Sequence, residues 1–460
     1  MVPTLRATLA AAVLTGGLSA CASLDITPVN EPTAMPVLTP TNTVGGDDTL
    51  RPTIVGLAFS GGGMRASAFS YGVLRGLERV PVEGGGSMLD QVRFVSGVSG
   101  GSVTAAWFGL RGRAGLGDFE QRFLYRDAEE SLRRSFYSVT NITRALDSGV
   151  NDRNGFPAWL KKNLFGNATF RDLNRPGRPV VWINASDITS KTPFIFEPVT
   201  FGSICSDLST YPIAEAVAAS AAVPIVFAPV VIKSYADKCG FKLPDHLEEM
   251  ARRRDSSPIV RNYISALRKY RDIGQVAFVK LLDGGLTDNW GLAGFNVALA
   301  SATEPYKPLN RDDAVVVERF IFVVVDSGRT LPSDYAKTLE GPSGSALLEA
   351  VTDTAIDSAV RNSFEVLRLQ MQAWESRLKT WRCALNPDEV ARIRGSTEGW
   401  DCRKVSVRVE RIAFEDLDAG TAQTLGRIPT RFVLDPAEVK ASIEGGANAA
   451  IRVLGAAESH

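Results

Sequence analysis

A serine in a glycine-rich turn is the first feature of this sequence whose residue types could do chemistry. The run Gly97-Val98-Ser99-Gly100-Gly101 fits G-x-S-x-G and lies between a predicted strand at 92–96 and a predicted helix at 103–110. In such a strand–turn–helix arrangement the glycines permit a tight turn that presents the serine hydroxyl as a nucleophile. The alternative is a turn whose serine caps the helix, and the motif alone does not decide between them.

A second glycine turn could form a site for an anion. Gly61, Gly62 and Gly63 separate a predicted strand from a predicted helix, with Arg65 close by. Backbone N–H groups at a helix start bind negative charge, which acyl transfer needs for its tetrahedral oxyanion. The segment also fits the dinucleotide pattern G-x-G-x-x-A, but that pattern needs an acidic residue about twenty positions on. The next strand ends in the serine turn instead, so we expect no nucleotide cofactor.

The third candidate is Asp283, which ends a predicted strand at 276–282 and precedes two glycines. A carboxylate there would lie at the same sheet edge as Ser99. A serine hydrolase needs a base, but the histidines are only His246, in a charged stretch, and the last residue, His460. Elimination therefore favours a Ser–Asp dyad, in which burial would have to raise the pKa of the carboxyl. The alternative for Asp283 is a simple turn residue.

The elements that carry these turns alternate between strand, glycine turn and helix. This order predicts an α/β fold with parallel strands and right-handed crossovers. Further strands are predicted at 180–185, 193–197, 319–325 and 405–412, and further helices at 213–222, 347–382 and 436–454.

Composition narrows the classes of partner. Acidic and basic side chains number 51 each among 460 residues, so no basic excess favours a nucleic acid. The five cysteines lack C-x-x-C spacing and an accompanying histidine cluster, so we expect no metal site.

The N-terminus has the features of a secretory signal. Arg6 supplies positive charge, and the apolar run at 9–14 is too short to span a bilayer. Leu18-Ser19-Ala20-Cys21 resembles the bacterial lipoprotein cleavage box, in which Cys21 becomes a lipid-carrying N-terminus. Ala22 then favours sorting to the outer membrane. The alternative is a plain secretory signal, which would give a periplasmic or secreted protein.

The remaining cysteines are even in number, as expected in an oxidising compartment. Among the three pairings that four cysteines allow, we favour the two local ones, Cys205 with Cys239 and Cys383 with Cys402. The alternative is four free, buried thiols.

Taken together and in this order, the three turns resemble the patatin-like phospholipase family. The segment 218–229 resembles that family's Ala-Ser…Pro…Phe-x-Pro block, and Asn184-Ala185-Ser186-Asp187 with Phe194-Ile195-Phe196 resembles its central strand pair. The resemblance covers 54–295, and 428–432 also fits C-terminal parts of bacterial members. Two departures are Ala66, where Gly is frequent, and Trp290-Gly291, where Pro is frequent.

The resemblance implies a three-layer fold, with a mostly parallel central sheet flanked by helices. It implies hydrolysis of acyl esters of membrane lipids through an acyl-enzyme, without a metal or other cofactor. The implied site consists of Ser99 as nucleophile, Asp283 as base, Gly61, Gly62, Gly63 and Arg65 around the oxyanion, and the motif glycines Gly97, Gly101, Gly284 and Gly285. A lipid transacylase with the same dyad and a catalytically silent envelope lipoprotein are the alternatives.

These features divide the chain into three parts. They are a signal at 1–20, a flexible tether at 21–52 and a catalytic domain at 53–460 that comprises the motif core (54–295), a helical insertion (about 233–275) and a C-terminal extension (300–460). Within the insertion, apolar positions of 247–271 fit one face of a basic helix. That pattern predicts either a lipid-facing lid or a helix packed on the domain.

Overall fold

The computed structural model describes residues 25–36, 50–130, 153–328 apart from 225 and 255, 339–342 and 363–455, together with 347, 350, 351, 354 and 360. The predicted signal, Cys21 and His460 lie outside the described residues, as do most of the positions from 347 to 362 that were predicted to be helical.

Eight strands form one sheet. They are β1 (Thr53–Phe59), β2 (Val92–Val98), β3 (Val180–Asp187), β4 (Thr192–Ile195), β5 (Val230–Lys233), β6 (Phe278–Leu282), β7 (Arg319–Asp326) and β8 (Ser406–Ala413). Their order is β5-β6-β3-β2-β1-β7-β8, and β4 pairs with β3. Strands β3, β2, β1, β7 and β8 pair in parallel, whereas β4, β5 and β6 pair antiparallel to their neighbours.

Helices cover both faces of the sheet. They are α1 (Gly63–Leu77), α2 (Gly100–Arg111), α3 (Leu116–Phe119), α4 (Phe156–Leu160), α5 (Phe170–Leu173), α6 (Pro198–Ser203), α7 (Ile213–Ser220), α8 (Asp245–Arg252), α9 (Pro258–Tyr270), α10 (Gly285–Asp288), α11 (Ala293–Ala300), α12 (Arg311–Val316), α13 (Ser363–Cys383), α14 (Pro387–Arg394), α15 (Ala419–Arg427) and α16 (Pro436–Gly455). Turns of 3₁₀-helix lie at Met88–Gln91, Arg113–Gly115, Leu208–Thr210 and Phe414–Asp416, and π-helical turns at Glu120–Leu124 and Lys161–Phe165.

The central strands are buried on both faces, which explains why they are continuous apolar runs rather than alternating ones. Every residue of β1 and β2 is buried, and seven of the eight residues of β7 are buried. This confirms the predicted α/β fold with a mostly parallel sheet flanked by helices.

The C-terminal extension belongs to the same core as the motifs. Strand β7 pairs in parallel with β1 along its whole length, from Thr53 opposite Arg319 to Phe59 opposite Val325. Helix α16 packs on α1 so closely that a Cβ on Gly446 would lie 2.1 Å from the carbonyl oxygen of Phe69. Removing this region would therefore expose the central strand and the first helix.

Residues 25–36 correct part of the prediction of a flexible tether. Asn30 is buried. Its side-chain amide donates to the Lys233 carbonyl (2.8 Å) and accepts a hydrogen bond from the Lys233 N–H (2.9 Å). The Thr33 N–H donates to the carbonyl of Cys205 (2.9 Å). This segment, called the strap below, is therefore docked on the domain beside β5.

The helical insertion packs onto the domain through its apolar face. Helix α9 buries Val260, Tyr263, Ile264, Ala266, Leu267 and Tyr270. The Tyr263 hydroxyl donates to the buried carboxylate of Glu197, and the Tyr270 hydroxyl donates to Asp187 (2.9 Å). Apart from Ile259, which is 38% exposed, the apolar positions of α9 that fitted a lipid-facing lid are packed on the domain. No helix among the described residues is long and apolar enough to cross a membrane.

Both local cysteine pairings favoured from the sequence are present as disulfides. The Cα atoms of Cys205 and Cys239 are 5.7 Å apart, and those of Cys383 and Cys402 are 4.9 Å apart. The first links the turn beneath the strap to the start of the insertion, and the second links the end of α13 to the segment before β8.

Candidate active site

Ser99 occupies the sharp turn between β2 and α2. Its backbone has φ 51° and ψ −124°, a conformation that costs energy in a residue with a side chain, and the residue is buried. The Ser99 side chain makes no capping hydrogen bond to α2. The structure therefore favours a nucleophile at this turn over a helix-capping serine.

The glycines beside Ser99 allow two backbone turns to touch. A Cβ on Gly100 would lie 1.9 Å from the Gly63 carbonyl oxygen, and one on Gly101 would lie 2.5 Å from that of Ser60. Any side chain at these positions would separate the serine turn from the turn at Gly61–Gly63. The two motifs are thus parts of one site.

Asp283 follows β6 at the same edge of the sheet and is buried. One carboxylate oxygen accepts a hydrogen bond from the Gly285 N–H (2.8 Å). Burial raises the pKa of Asp283 to about 6, and the Gly285 N–H and a hydrogen bond with the Ser99 side chain offset part of that increase. The fold therefore brings the two predicted dyad residues together and tunes the carboxyl toward the range of a useful base.

Ser220, at the end of α7, connects the nucleophile turn to the base turn. Its hydroxyl accepts from the Ser99 N–H (2.9 Å) and donates to the Asn184 carbonyl (2.6 Å). Its own carbonyl accepts from the Gly284 N–H (3.0 Å), and the Ala222 carbonyl accepts from the Asp283 N–H (2.8 Å). The sequence placed Ser220 and Asn184 in recognisable blocks but assigned neither a role.

The anion site differs from the prediction in one glycine. The Gly61 N–H donates to the carbonyl of Asn289 (3.0 Å) and is not available for an oxyanion. Within the described part of the chain, the N–H groups of Gly62 and Gly63 have no acceptor. These two amides, at the start of α1, are candidate donors to an oxyanion.

Arg65 corrects a second part of the predicted oxyanion site. Its guanidinium is buried and donates to the carbonyls of Ser327 (3.1 Å) and Ile428 and to the Thr430 hydroxyl (3.3 Å). These bonds point the charged group at the C-terminal segment. Arg65 therefore supports the glycine turn, and no sequence signal identified its partners because two of the three are backbone carbonyls.

His246 lies on α8 in the insertion, where burial lowers its pKa. The described contacts of Ser99 and Asp283 do not include it. The titratable group beside Ser99 in the structure is the Asp283 carboxyl, the residue that elimination favoured as the base.

The sequence of residues 57–295, just over half of the chain, matches the patatin-like phospholipase family. Among solved structures, human GIVD cytosolic phospholipase A2 is similar at 12% identity and a TM-score of 0.38, over 88% of this chain and 62% of the human one. VipD from Legionella pneumophila is similar at 12% identity and a TM-score of 0.30, over 88% of this chain and 68% of VipD. The chain thus spans less than two thirds of the human enzyme's length. No curated protein sequence matches the chain.

Proposed function

The chain belongs to the patatin-like phospholipase family, which supports a lipid hydrolase function, and we propose that it cleaves acyl esters of membrane lipids by way of Ser99 and Asp283. One observation carries the proposal. A buried serine with a strained backbone and no capping bond lies against a buried carboxyl whose pKa is raised to about 6. Strain and a perturbed carboxyl at one point of a sheet edge are typical of catalytic sites.

The geometry supports a double displacement. The Ser99 oxygen attacks the ester carbonyl while the Asp283 carboxylate accepts the hydroxyl proton. The N–H groups of Gly62 and Gly63 stabilise the oxyanion of the tetrahedral intermediate. The carboxyl of Asp283 then protonates the departing alcohol, which leaves an acyl ester on Ser99.

Water completes the cycle. Asp283, again ionised, accepts a proton from a water molecule whose oxygen attacks the acyl-enzyme carbonyl. The second tetrahedral intermediate collapses, Ser99 recovers its proton, and a fatty acid is released. No step requires a group beyond this chain and water.

Reaction with a fluorophosphonate tests the nucleophile. We expect the oxidised, full-length protein to be labelled on the peptide that contains Ser99, and Ser99→Ala to remain unlabelled with an unchanged melting temperature. The exposed serine variant Ser376→Ala serves as the control and should be labelled at the wild-type rate. A folded wild-type protein that is not labelled, or a label on another peptide, would overturn the proposal and favour a silent lipoprotein.

For location, we propose that Cys21 carries a lipid anchor in the outer membrane of a bacterium. The cleavage-box resemblance supports this, together with the oxidised cysteine pairs, which fit an extracytoplasmic compartment. Mass spectrometry of the mature protein should show acyl chains on an N-terminal Cys21. An unmodified N-terminus would instead support a periplasmic or secreted enzyme.

A further inference from the structure

Strands β5 and β6 form a two-stranded ribbon that extends beyond the edge of the sheet where Ser99 lies. Strand β3 runs parallel to β2 and ends at the same edge. Strand β6 pairs with β3 only at its last two residues, Leu281 opposite Asp187 and Leu282 opposite Ser186. The earlier residues of β6 therefore project outward from the edge, and Phe278 lies at most about 17 Å along the strand from Asp283.

One face of this ribbon is turned to solvent and carries both apolar and basic side chains. Phe278 is opposite Lys233 and Lys280 is opposite Val231, so these four side chains share a face. Phe278 is 47% exposed, and Ile188, at the tip of the turn between β3 and β4, is 39% exposed. The Ile188 N–H donates to the Lys280 carbonyl (3.2 Å), which continues the β3–β6 register and puts Ile188 opposite Lys280, on the same face as Phe278. We call Ile188, Val231, Lys233, Phe278 and Lys280 the ribbon face.

The charge of the ribbon face is positive. Among the described residues, neither Lys233 nor Lys280 takes part in an ion pair, and Lys233 lies over the ring of Tyr235 (5.1 Å). The nearby carboxylate, Asp237, pairs with Lys238 (3.0 Å) and also interacts electrostatically with Lys233. Neither ribbon lysine is held in an ion pair among the described residues, so both ammonium groups can approach an external anion.

We propose that the ribbon face docks the catalytic edge on a bilayer that contains anionic lipids, an inference that rests on the proposed lipid hydrolase function. Phe278 and Ile188 would enter the boundary between head groups and acyl chains, and the lysines would contact lipid phosphates. A phenylalanine flanked by unpaired lysines complements that boundary, which is apolar on one side and negatively charged on the other. Docking here brings ester bonds to the edge that carries Ser99.

Within the described insertion, α9 packs most of its apolar face on the domain and leaves Ile259 38% exposed. Helix α13 offers a control surface instead. Leu369 is 58% exposed there, and the adjacent Arg368 pairs with Glu365 (3.0 Å). The exposed fraction of Leu369 is thus similar to that of Phe278, but the arginine next to it is already in an ion pair.

Vesicle sedimentation tests the proposal. The full-length chain with Cys21→Ser, which lacks the proposed anchor, is mixed with phosphatidylcholine vesicles with and without phosphatidylglycerol. We expect tighter binding to the anionic vesicles. Phe278→Ser should raise the dissociation constant about tenfold and Lys280→Gln about fivefold. Leu369→Ser and Arg368→Gln should each leave the constant unchanged.

Other outcomes would overturn the proposal. One is wild-type binding that does not depend on phosphatidylglycerol, and another is a Phe278→Ser variant that binds vesicles as tightly as wild type. The proposal would also be wrong if Leu369→Ser lost as much affinity as Phe278→Ser, or if Phe278→Ser instead changed the oligomeric state. Size-exclusion chromatography and thermal melting exclude misfolding. Fluorophosphonate labelling without vesicles reports on the dyad separately, so failure of docking and failure of the hydrolase proposal are distinguishable.

Discussion

The motif core at 54–295 and the C-terminal region from Arg319 to Gly455 make different contributions to this site. The core contains Ser99, Asp283 and the Gly62 and Gly63 amides proposed to bind an oxyanion. The C-terminal region supplies β7, β8, α16 and the acceptors that hold the glycine turn in place. The reacting groups are therefore in one region, and much of their support is in the other.

The support consists mainly of backbone groups. The Arg431 carbonyl accepts from the Met64 N–H (2.7 Å), and the carbonyls of Ser327 and Ile428 accept from Arg65. A carbonyl is present at every residue, so selection for this support leaves no signature of residue type. Chemistry requires particular side chains, which is why the sequence assigned roles to residues of the motif core and assigned none to the supporting region, although 428–432 resembled the family.

The largest expected effect is a loss of activity without a loss of stability, caused by a substitution within the core. Asp283→Asn should lower ester hydrolysis at pH 8 about 10³-fold because the base is lost. The raised pKa means that the fold favours the protonated carboxyl, so stability is lost as pH rises from about 4 through about 6. The variant should therefore be no less stable than wild type at pH 8 in urea unfolding.

The control for Asp283→Asn is Asp272→Asn, because Asp272 is exposed. This control should keep wild-type hydrolysis and stability. An Asp283→Asn protein with near-normal hydrolysis would remove Asp283 from the proposed mechanism. Marked destabilisation at pH 8 would show that the carboxylate is mainly structural.

The second-largest effect is expected for Arg65→Met, which should lower both the stability of the protein and the reactivity of the site. Removing the guanidinium leaves buried carbonyls from the C-terminal region without a donor, which should cost about 3 kcal/mol of unfolding free energy. Displacement of the glycine turn should lower the rate of fluorophosphonate labelling up to about 10²-fold. Arg452→Met, which removes an exposed arginine that donates to the Asp416 carbonyl, should change neither quantity. Slow labelling without destabilisation would instead indicate that Arg65 acts directly on the oxyanion.

A third prediction concerns the pH dependence of the core. Because Asp283 accepts a proton only when ionised, kcat/KM on a soluble ester should fall about tenfold per pH unit below pH 6. Burial also raises the pKa of Glu197, to about 7, but that carboxyl bonds to Tyr263 of the insertion. The pH profile should therefore keep its midpoint in Glu197→Gln. A midpoint that moves in this variant would assign the titration to the insertion.

The smallest effect on activity is expected in the C-terminal region. Replacing Cys383 and Cys402 with Ser opens a disulfide with a sequence separation of 19. The unfolding free energy should fall by roughly 3 kcal/mol, while labelling of Ser99 at a temperature well below melting should stay normal. Slowed labelling would show that the end of α13 reaches the site, contrary to the division of the two regions.

The sequence predicted the centre of the sheet well because β1, β2 and β7 are buried apolar runs, and β1, β2 and β6 lead into glycine turns. Strand β5 escaped prediction because Val230–Lys233 is only four residues long and three of the four are at least partly exposed. The strap escaped because its Pro- and Thr-rich composition is typical of a linker, whereas its docking depends on Asn30 meeting the backbone of a strand 203 residues later. The roles of Gly61 and Arg65 required knowledge of which donors were already occupied.

The docked strap also limits how far the enzyme can act from the proposed anchor. A free tether of the thirty-odd residues before β1 would let the domain sample distances on the order of 30 Å from the bilayer. With the strap bound, four peptide units join Cys21 to Asp25, so the two residues can be at most about 14 Å apart. Such a short connection confines an anchored enzyme to lipids of its own membrane. Anchored protein mixed with unanchored vesicles should therefore hydrolyse its host vesicles only, and equal hydrolysis of both populations would show that the strap releases.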